Sequence, residues 1–137
     1  MKNYQPTTPG RRGMSTVTYR GVLTTATPYK PLSRGRKRRV GRNSRGRITT
    51  RHKGGGHKRL FRDIDFKYDK KDIPAHVESV EYDPNRSGFI GLVCFKDGER
   101  RYVLLPQNVS VGDSIIVSEK AEVKPGNRLP LKKIKFS

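Results

Sequence analysis

The sequence has no acidic residue among its first 62 positions, no tryptophan, and a single cysteine. No stretch approaches the roughly 18 apolar residues that a membrane-spanning helix needs, which argues against an integral membrane protein. The N-terminus has no apolar segment of the kind that directs secretion, so we expect no export. Cys94 cannot form an internal disulfide, as is typical of a protein in a reducing compartment.

The basic residues are distributed very unevenly. The 137 residues include 31 Lys plus Arg and 12 Asp plus Glu, for a formal net charge of +19. Residues 1–62 hold 18 of the basic residues, whereas residues 63–137 combine 13 basic with 12 acidic ones. A segment with so much charge and so few apolar residues cannot bury enough surface to offset its chain entropy. We therefore predict an extended basic arm over residues 1–60 and a compact domain over residues 61–125.

The composition of the arm favours nucleic acid as its partner. A dense polycation becomes ordered on a polyanion, and each neutralised phosphate releases counterions. Residues 34–62 carry ten Arg against three Lys, and the planar guanidinium matches phosphate and stacks on bases. Glycines at positions 35, 41, 46 and 54–56 rule out the long amphipathic helix that would favour a membrane surface.

The string Gly54-Gly55-Gly56-His57-Lys58 resembles a phosphate-binding loop but lacks the G-x-x-x-x-G-K-[ST] spacing of a mononucleotide site. Two interpretations stay open. The glycines form a backbone nest that holds a nucleic-acid phosphate, or they act as a flexible hinge between the arm and the compact domain.

The second part of the chain predicts five short strands and no helix. Alternating or continuous apolar residues place the strands at 63–68, 75–82, 89–95, 102–105 and 115–117. A break in the alternation indicates a bulge in the second strand, and Asp97-Gly98 is typical of a tight hairpin. The fold class is therefore all-β, a small five-stranded barrel preceded by a long extended basic arm. The oligonucleotide-binding fold is one such barrel, and the pattern alone does not separate it from an SH3-like barrel.

Enzymatic and metal-binding residues are not expected. His52 and His57 lie in a segment without a carboxylate to orient them, and His76 beside Glu78 is typical of a surface pair. Cys94 lies in the most apolar strand and is predicted to be a small core residue. One Cys and scattered His do not supply the ligand spacing of a zinc site, so we predict no enzyme activity, no metal and no cofactor.

Four strings of the sequence carry a family resemblance. They are GRITTRHKGGGHK at 46–58, EYDPNRS at 81–87, KDGERRY at 96–102, and KPGN with LPL at 124–131. In this order they resemble the family of the second protein of the large ribosomal subunit, of bacterial or organellar type. The resemblance covers most of the chain, namely the arm and the first barrel, and is weakest over residues 14–42.

The resemblance implies an arm that threads through large-subunit rRNA, followed by an oligonucleotide-binding-fold barrel. Residues 126–137 would be a linker toward a second, SH3-like barrel, which is absent from this sequence. The implied function is that of a structural, non-enzymatic constituent of the large subunit, a primary rRNA binder that supports subunit association and the peptidyl-transferase region. The family's histidine near that region belongs to the absent part, so no catalytic role carries over to His52, His57 or His76.

The implied partners are large-subunit rRNA, neighbouring ribosomal proteins and the small subunit at the intersubunit face, with no membrane and no homo-oligomer. The implied location is the ribosome, in a bacterial cytoplasm or in an organelle matrix or stroma. The residues predicted to contact rRNA are basic side chains, two histidines and three glycines. They are Arg11, Arg12, Arg36, Arg38, Arg39, Arg42, Arg45, Arg47, Arg51, His52, Lys53, Gly54, Gly55, Gly56, His57, Lys58, Arg59, Arg62, Arg86, Arg100 and Arg101.

Two other functions compete with this interpretation. A free single-strand-binding or RNA-chaperone module on the same barrel would need aromatic side chains on an exposed face, whereas Phe89, Phe95 and Tyr102 are predicted to lie mostly in the core. A DNA-compacting protein would need wedge residues or duplex-bending β-arms, and the sequence shows neither.

Overall fold

The computed structural model describes residues 1–36 and 39–134, and these residues form eight short strands. The strands are β1 Lys2–Asn3, β2 Ser15–Thr16, β3 Ser33–Gly35, β4 Leu60–Arg62, β5 Ala75–Glu81, β6 Ile90–Phe95, β7 Arg100–Leu104 and β8 Ser114–Ile115. Helical geometry within the described ranges is confined to three short 3-10 turns, at Pro9–Arg11, Lys30–Leu32 and Leu131–Lys133. In this part of the chain, no helix has the length and apolar character needed to cross a membrane.

The largest sheet has four antiparallel strands in the order β7-β6-β5-β8. The predicted bulge lies in β5, where the register shifts between Val77 and Ser79. The predicted hairpin joins β6 to β7, and Gly98 takes the left-handed conformation that this tight turn needs, with φ +87°. The sheet curls into a half-barrel, which confirms the predicted all-β, oligonucleotide-binding-fold-like class.

Apolar residues cover both faces of β6. On one face Val77, Val93 and Phe95 belong to a cluster of seven buried residues, and on the other Ile90 and Tyr102 belong to a cluster of four. All six residues of β6 are buried, so the strand has no solvent face that would require polar alternation. This accounts for the continuous apolar run from which the strand was predicted.

The predicted strand at 63–68 is wrong. Ile64 makes a single parallel bridge to Tyr102, and the chain then turns away from the sheet. The Asp65 carboxylate accepts hydrogen bonds from the backbone N–H groups of Lys67 and Tyr68, at 2.9 and 3.0 Å. Such a side-chain-to-backbone turn competes with strand pairing. Phe66, an apolar residue of the alternation from which this strand was predicted, is 57% exposed, and the strand in this region is β4.

Part of the arm lies against the barrel. Strand β3 of the arm pairs with β4, and the Thr24 N–H donates to the Val80 carbonyl at 3.1 Å. The Tyr29 N–H donates to the Tyr102 hydroxyl at 2.7 Å, and that hydroxyl donates to buried Glu81 at 2.7 Å. Burial, together with Glu81, raises the pKa of Tyr102 and keeps the phenol protonated as a donor. The apolar arm residues packed against the barrel core are Leu23, Tyr29 and Leu32.

Candidate nucleic-acid interface

Strands β3 and β4 pair as a two-stranded antiparallel ribbon, which we call the β3–β4 ribbon. An open cleft of about 720 Å³ lies between this ribbon and the loops that flank residues 41–50. Four of its lining residues are cationic and none is acidic, so an anion entering the cleft meets no opposing carboxylate among them. Their guanidinium and ammonium groups are exposed and suit phosphate. We call this site the basic cleft. Its lining residues are Arg36, Arg39, Val40, Gly41, Lys53, Gly54, Arg59 and Asn85.

The β3–β4 ribbon positions one wall of the basic cleft. The guanidinium groups of Arg34 and Arg36 lie over the ring of Phe61, at 5.1 and 5.8 Å from its centroid. A cation above an aromatic face is attracted by the ring quadrupole, which restrains an otherwise mobile side chain. The Asn85 side-chain amide donates to the Leu60 carbonyl at 2.9 Å and ties the turn after β5 to the same wall.

The segment after the first wall folds into a small hairpin over residues 41–50, which we call the basic hairpin. Arg42 and Ile48 form an antiparallel bridge, and the Asn43 side chain accepts a hydrogen bond from the Arg47 N–H at 2.9 Å. Arg42 also donates to the Gly46 carbonyl at 3.0 Å across the hairpin. These local bonds give the predicted arginines here a defined backbone, and Arg42, Arg45 and Arg47 are exposed.

The base of the basic hairpin depends on glycine at position 41. The Gly41 carbonyl accepts hydrogen bonds from the N–H groups of Thr49 and Thr50, at 2.9 and 3.1 Å. A Cβ at Gly41 would fall far inside van der Waals contact with the Thr50 carbonyl oxygen, and its φ is +74°. Gly54, the first of the three consecutive glycines, packs beside Val40 and has φ +127°. Both positions therefore need the conformational freedom of glycine.

Most of the other predicted contact residues in the arm are exposed. Arg11 lies in the 3-10 turn between β1 and β2, with its guanidinium over the Tyr4 ring, and the His57 ring contacts the Lys58 carbonyl at 2.8 Å. Arg38 lies outside the described residues. The exposed set comprises Arg11, Arg12, Arg36, Arg39, Arg42, Arg45, Arg47, Arg51, His52, Lys53, Gly54, Gly55, Gly56, His57, Lys58 and Arg59.

Arg62 differs from its neighbours because its side chain is buried, with 8% exposed. Its guanidinium donates to the Leu60 carbonyl at 2.9 Å, and its Nε has no protein partner. The alternation of β4 directs this side chain toward the barrel, opposite Ser33 of β3. Arg62 therefore packs where the arm meets the barrel. Its side chain is not part of the exposed cationic surface.

The three predicted barrel contacts are all paired with carboxylates. Arg86 binds buried Asp83 at 2.6 Å, and Arg100 binds Glu78 through two hydrogen bonds of 2.8 and 2.9 Å. Arg101 contacts Glu99 at 2.6 Å, Asp65 at 2.8 Å and also Asp69. Each of the three carboxylate-paired arginines already has an anionic partner within the chain, so each competes less well for phosphate than the arginines of the basic cleft.

The pKa values follow from these pairs. Burial alone would raise the pKa of the Asp83 carboxyl, but hydrogen bonds from Arg86 and Asn85 outweigh burial and hold the pKa below its ordinary value. Hydrogen bonds to Glu78 raise the pKa of Arg100, and bonds to Glu99, Asp65 and Asp69 raise that of Arg101. Asp83, Arg100 and Arg101 are therefore charged near neutral pH.

Two residues of the interface were not predicted. Arg34 lies over Phe61 beside Arg36, although it belongs to the same dense run of arginines as the predicted residues. Asn85 closes one side of the basic cleft from the turn after β5, and it was singled out from the sequence only as part of the string at 81–87 that carries the family resemblance. The density of arginine around position 34 could have identified Arg34. Nothing in the sequence near Asn85 links this residue to the arm.

The fold and this surface define an all-β domain of the oligonucleotide-binding-fold type with an exposed, arginine-rich face. Residues 29–117 match the family model described as Ribosomal Proteins L2, RNA binding N-terminal domain. The chain belongs to this family, as the four sequence strings predicted.

Curated relatives agree with the family match. The chain is 52% identical over 130 residues to large ribosomal subunit protein uL2 of Roseobacter denitrificans, which covers 95% of this chain and 46% of that protein. It is 52% identical over 134 residues to the protein of the same name from Hyphomonas neptunium, with 98% and 48% covered. The uL2 of Nitrobacter winogradskyi is 49% identical over 131 residues, with 96% and 47% covered. The chain thus spans about half the length of the curated relatives it matches.

Proposed function

We propose that this chain is a structural rRNA-binding component of the large ribosomal subunit and not an enzyme. One observation carries the proposal: a chain of this RNA-binding family concentrates exposed cations in a cleft lined by no carboxylate. Multiple phosphates lie close together where rRNA helices converge, and a cluster of guanidinium groups neutralises them with charge-assisted hydrogen bonds.

In the proposed mode of binding, the barrel supplies a rigid base and the arm supplies the charge. Tyr29 and β3 fasten the arm to the barrel, so the basic cleft is fixed relative to the sheet. The basic hairpin extends from the cleft and carries Arg42, Arg45 and Arg47 to phosphates further along the RNA. Gly54 and Gly55 have positive φ and the three consecutive glycines carry no side chain, which lets the chain pass close to the sugar-phosphate backbone.

The proposed division of the chain follows the same scheme. Residues 1–60 form the basic arm, residues 61–125 the barrel, and residues 126–137 the linker toward a second, SH3-like barrel. The family match begins at residue 29, inside the arm. A test of RNA binding should therefore keep the arm from residue 29 onward together with the barrel.

The remaining parts of the proposal concern the assembled ribosome. Neighbouring ribosomal proteins, and the small subunit at the intersubunit face, are proposed partners, together with a supporting role for subunit association and the peptidyl-transferase region. The bacterial sources of the relatives support a cytoplasmic ribosome, and an organelle ribosome is the other proposed location.

A free single-strand-binding or RNA-chaperone module is the second candidate function. Two exposed aromatic side chains of the barrel half favour it, Phe66 with 57% and Tyr82 with 44% of the side chain accessible. Against it, Phe95 and Tyr102 are buried in the core, as predicted, and Tyr82 packs edge-on against Tyr19 at 5.2 Å. Few aromatic rings on this barrel would therefore be accessible for stacking against nucleic-acid bases.

Competition binding distinguishes the candidates. The chain is incubated with labelled large-subunit rRNA at about 0.15 M salt, and unlabelled polymers are added at equal phosphate concentration. We expect folded rRNA to compete well, and unstructured single-stranded RNA and duplex DNA to compete poorly. Equal competition by single-stranded RNA would favour the chaperone-like module, and preference for duplex DNA would favour a DNA-compacting protein.

A further inference from the structure

A second group of side chains with metal-ligating atoms lies on the central strands β5 and β6, and none of them lines the basic cleft. The register of β5 and β6 places His76 directly opposite Cys94, and the register of β6 and β7 places Cys94 opposite Arg100. Glu78 follows His76 by two residues on β5. One ligand atom each from His76, Glu78 and Cys94 lies within 4.8 Å of the other two.

We propose that His76, Glu78 and Cys94 form a three-ligand binding site for a divalent transition-metal ion of the zinc class. This proposal is independent of rRNA binding, because none of the three residues lines the basic cleft. It also departs from the sequence expectation of no metal site, under which His76 and Glu78 form a surface pair and Cys94 a core residue.

The donor set determines which ion fits. An imidazole nitrogen, a carboxylate oxygen and a thiolate sulfur are the three ligand types of protein-bound zinc, and a thiolate disfavours magnesium and calcium. Zinc–ligand bonds of roughly 2.0–2.3 Å imply ligand atoms about 3.3–3.8 Å apart in a tetrahedron. The observed limit of 4.8 Å is therefore about an ångström too wide, so the proposal requires the three side chains to rotate toward the ion when it binds. Three protein ligands leave one position for water.

The surroundings of the three side chains are consistent with an ion held at the sheet surface. Cys94 is 9% exposed and forms the floor of the site, Glu78 is half-buried, and His76 is exposed and closes the site from the solvent side. Arg100 donates two hydrogen bonds to Glu78 and so fixes the carboxylate, as residues behind a metal ligand commonly do.

The charge balance permits a divalent ion despite the high net charge of the chain. The Glu78 carboxylate and a Cys94 thiolate contribute two negative charges, and Arg100 contributes one positive charge. The local sum of the three groups is therefore zero while the Cys94 thiol keeps its proton, and one negative charge in the thiolate form that holds the ion. Binding replaces the Cys94 thiol proton, so one proton is released as the sulfur–metal bond forms.

The test uses Co²⁺ as a spectroscopic probe on the full chain, after treatment with a chelator and in the absence of RNA. We expect about one equivalent of Co²⁺ to bind with a thiolate-to-metal charge-transfer band, and Zn²⁺ to displace it. Cys94→Ser should abolish the band. His76→Gln should weaken binding roughly tenfold or more, since it removes a ligand from an exposed position without disturbing the core.

His57→Gln is the matched control, because it removes one imidazole from the arm and leaves the site intact. The control should bind Co²⁺ as the unmodified chain does. Absence of the charge-transfer band in the unmodified chain would overturn the proposal, as would equal losses in His76→Gln and His57→Gln. The His76 comparison remains decisive if Cys94→Ser fails to fold, because the His76 side chain is exposed.

Discussion

Replacing Arg39, Lys53 and Arg59 together with alanine is expected to weaken the binding of large-subunit rRNA about 100-fold at constant salt. The three side chains come from separate segments and converge on the basic cleft, where they face no lining carboxylate. Charge-assisted hydrogen bonds to phosphate contribute roughly 1.5–3 kcal/mol each, so the net loss of two at the lower value accounts for a factor of about 100. Filter retention of labelled rRNA measures the change.

A matched control separates the geometry of the basic cleft from net charge. Lys67, Lys71 and Lys96 are exposed and belong to the barrel half, and their triple replacement removes the same three charges. We expect this control to lose less than about fivefold in affinity, because long-range attraction between exposed charges is screened at physiological salt. Equal losses in the two triple variants would show that binding is generic charge attraction without a defined site.

The second large effect is expected from Gly41→Ala. The new Cβ would collide with the Thr50 carbonyl oxygen, a backbone atom that cannot rotate away, so the hairpin base must open. The Gly41 carbonyl would then lose its hydrogen bonds with Thr49 and Thr50. We expect the amide hydrogens of Thr49 and Thr50 to exchange faster and rRNA affinity to fall roughly tenfold, as one or two guanidinium contacts are displaced.

Gly46→Ala provides the control for backbone conformation. Gly46 has nearly the same φ, +79°, but a Cβ there would meet no atom within 4 Å. The variant therefore incurs only the left-handed conformational cost, about 1–2 kcal/mol, without a collision. Its rRNA affinity should stay close to that of the unmodified chain. If both variants lose affinity equally, the close approach at Gly41 has no special role in shaping the cleft.

Most of the barrel could be predicted from local patterns. The apolar run of β6 reflects the burial of all six of its residues, and the bulged alternation of β5 reflects buried residues interrupted by exposed His76 and half-buried Glu78. The prediction failed at 63–68, where alternation is present but the Asp65 side chain holds the backbone in a turn. Periodicity alone does not report this competition between a side-chain hydrogen bond and a sheet ladder.

The interface was predictable in composition but not in geometry. Dense arginine and glycine marked the arm correctly as the cationic surface, because charge density depends on sequence alone. Which arginines are instead paired with carboxylates depends on how distant segments of the chain meet in the folded structure. Arg100 meets Glu78 across 22 positions and Arg101 meets Asp65 across 36, pairings that only the folded sheet brings together. The same holds for the approach of Asn85 to the arm.

The salt dependence of rRNA binding tests the central claim most directly, since it counts the phosphates that the chain neutralises. Engagement of about ten phosphates by the basic residues between positions 36 and 59 predicts a slope of roughly −7 to −9 for log affinity against log salt. The cleft triple variant should reduce the steepness of that slope by about two to three. A slope near −1 for the unmodified chain would contradict the account, because so few neutralised phosphates could not order the arm on RNA.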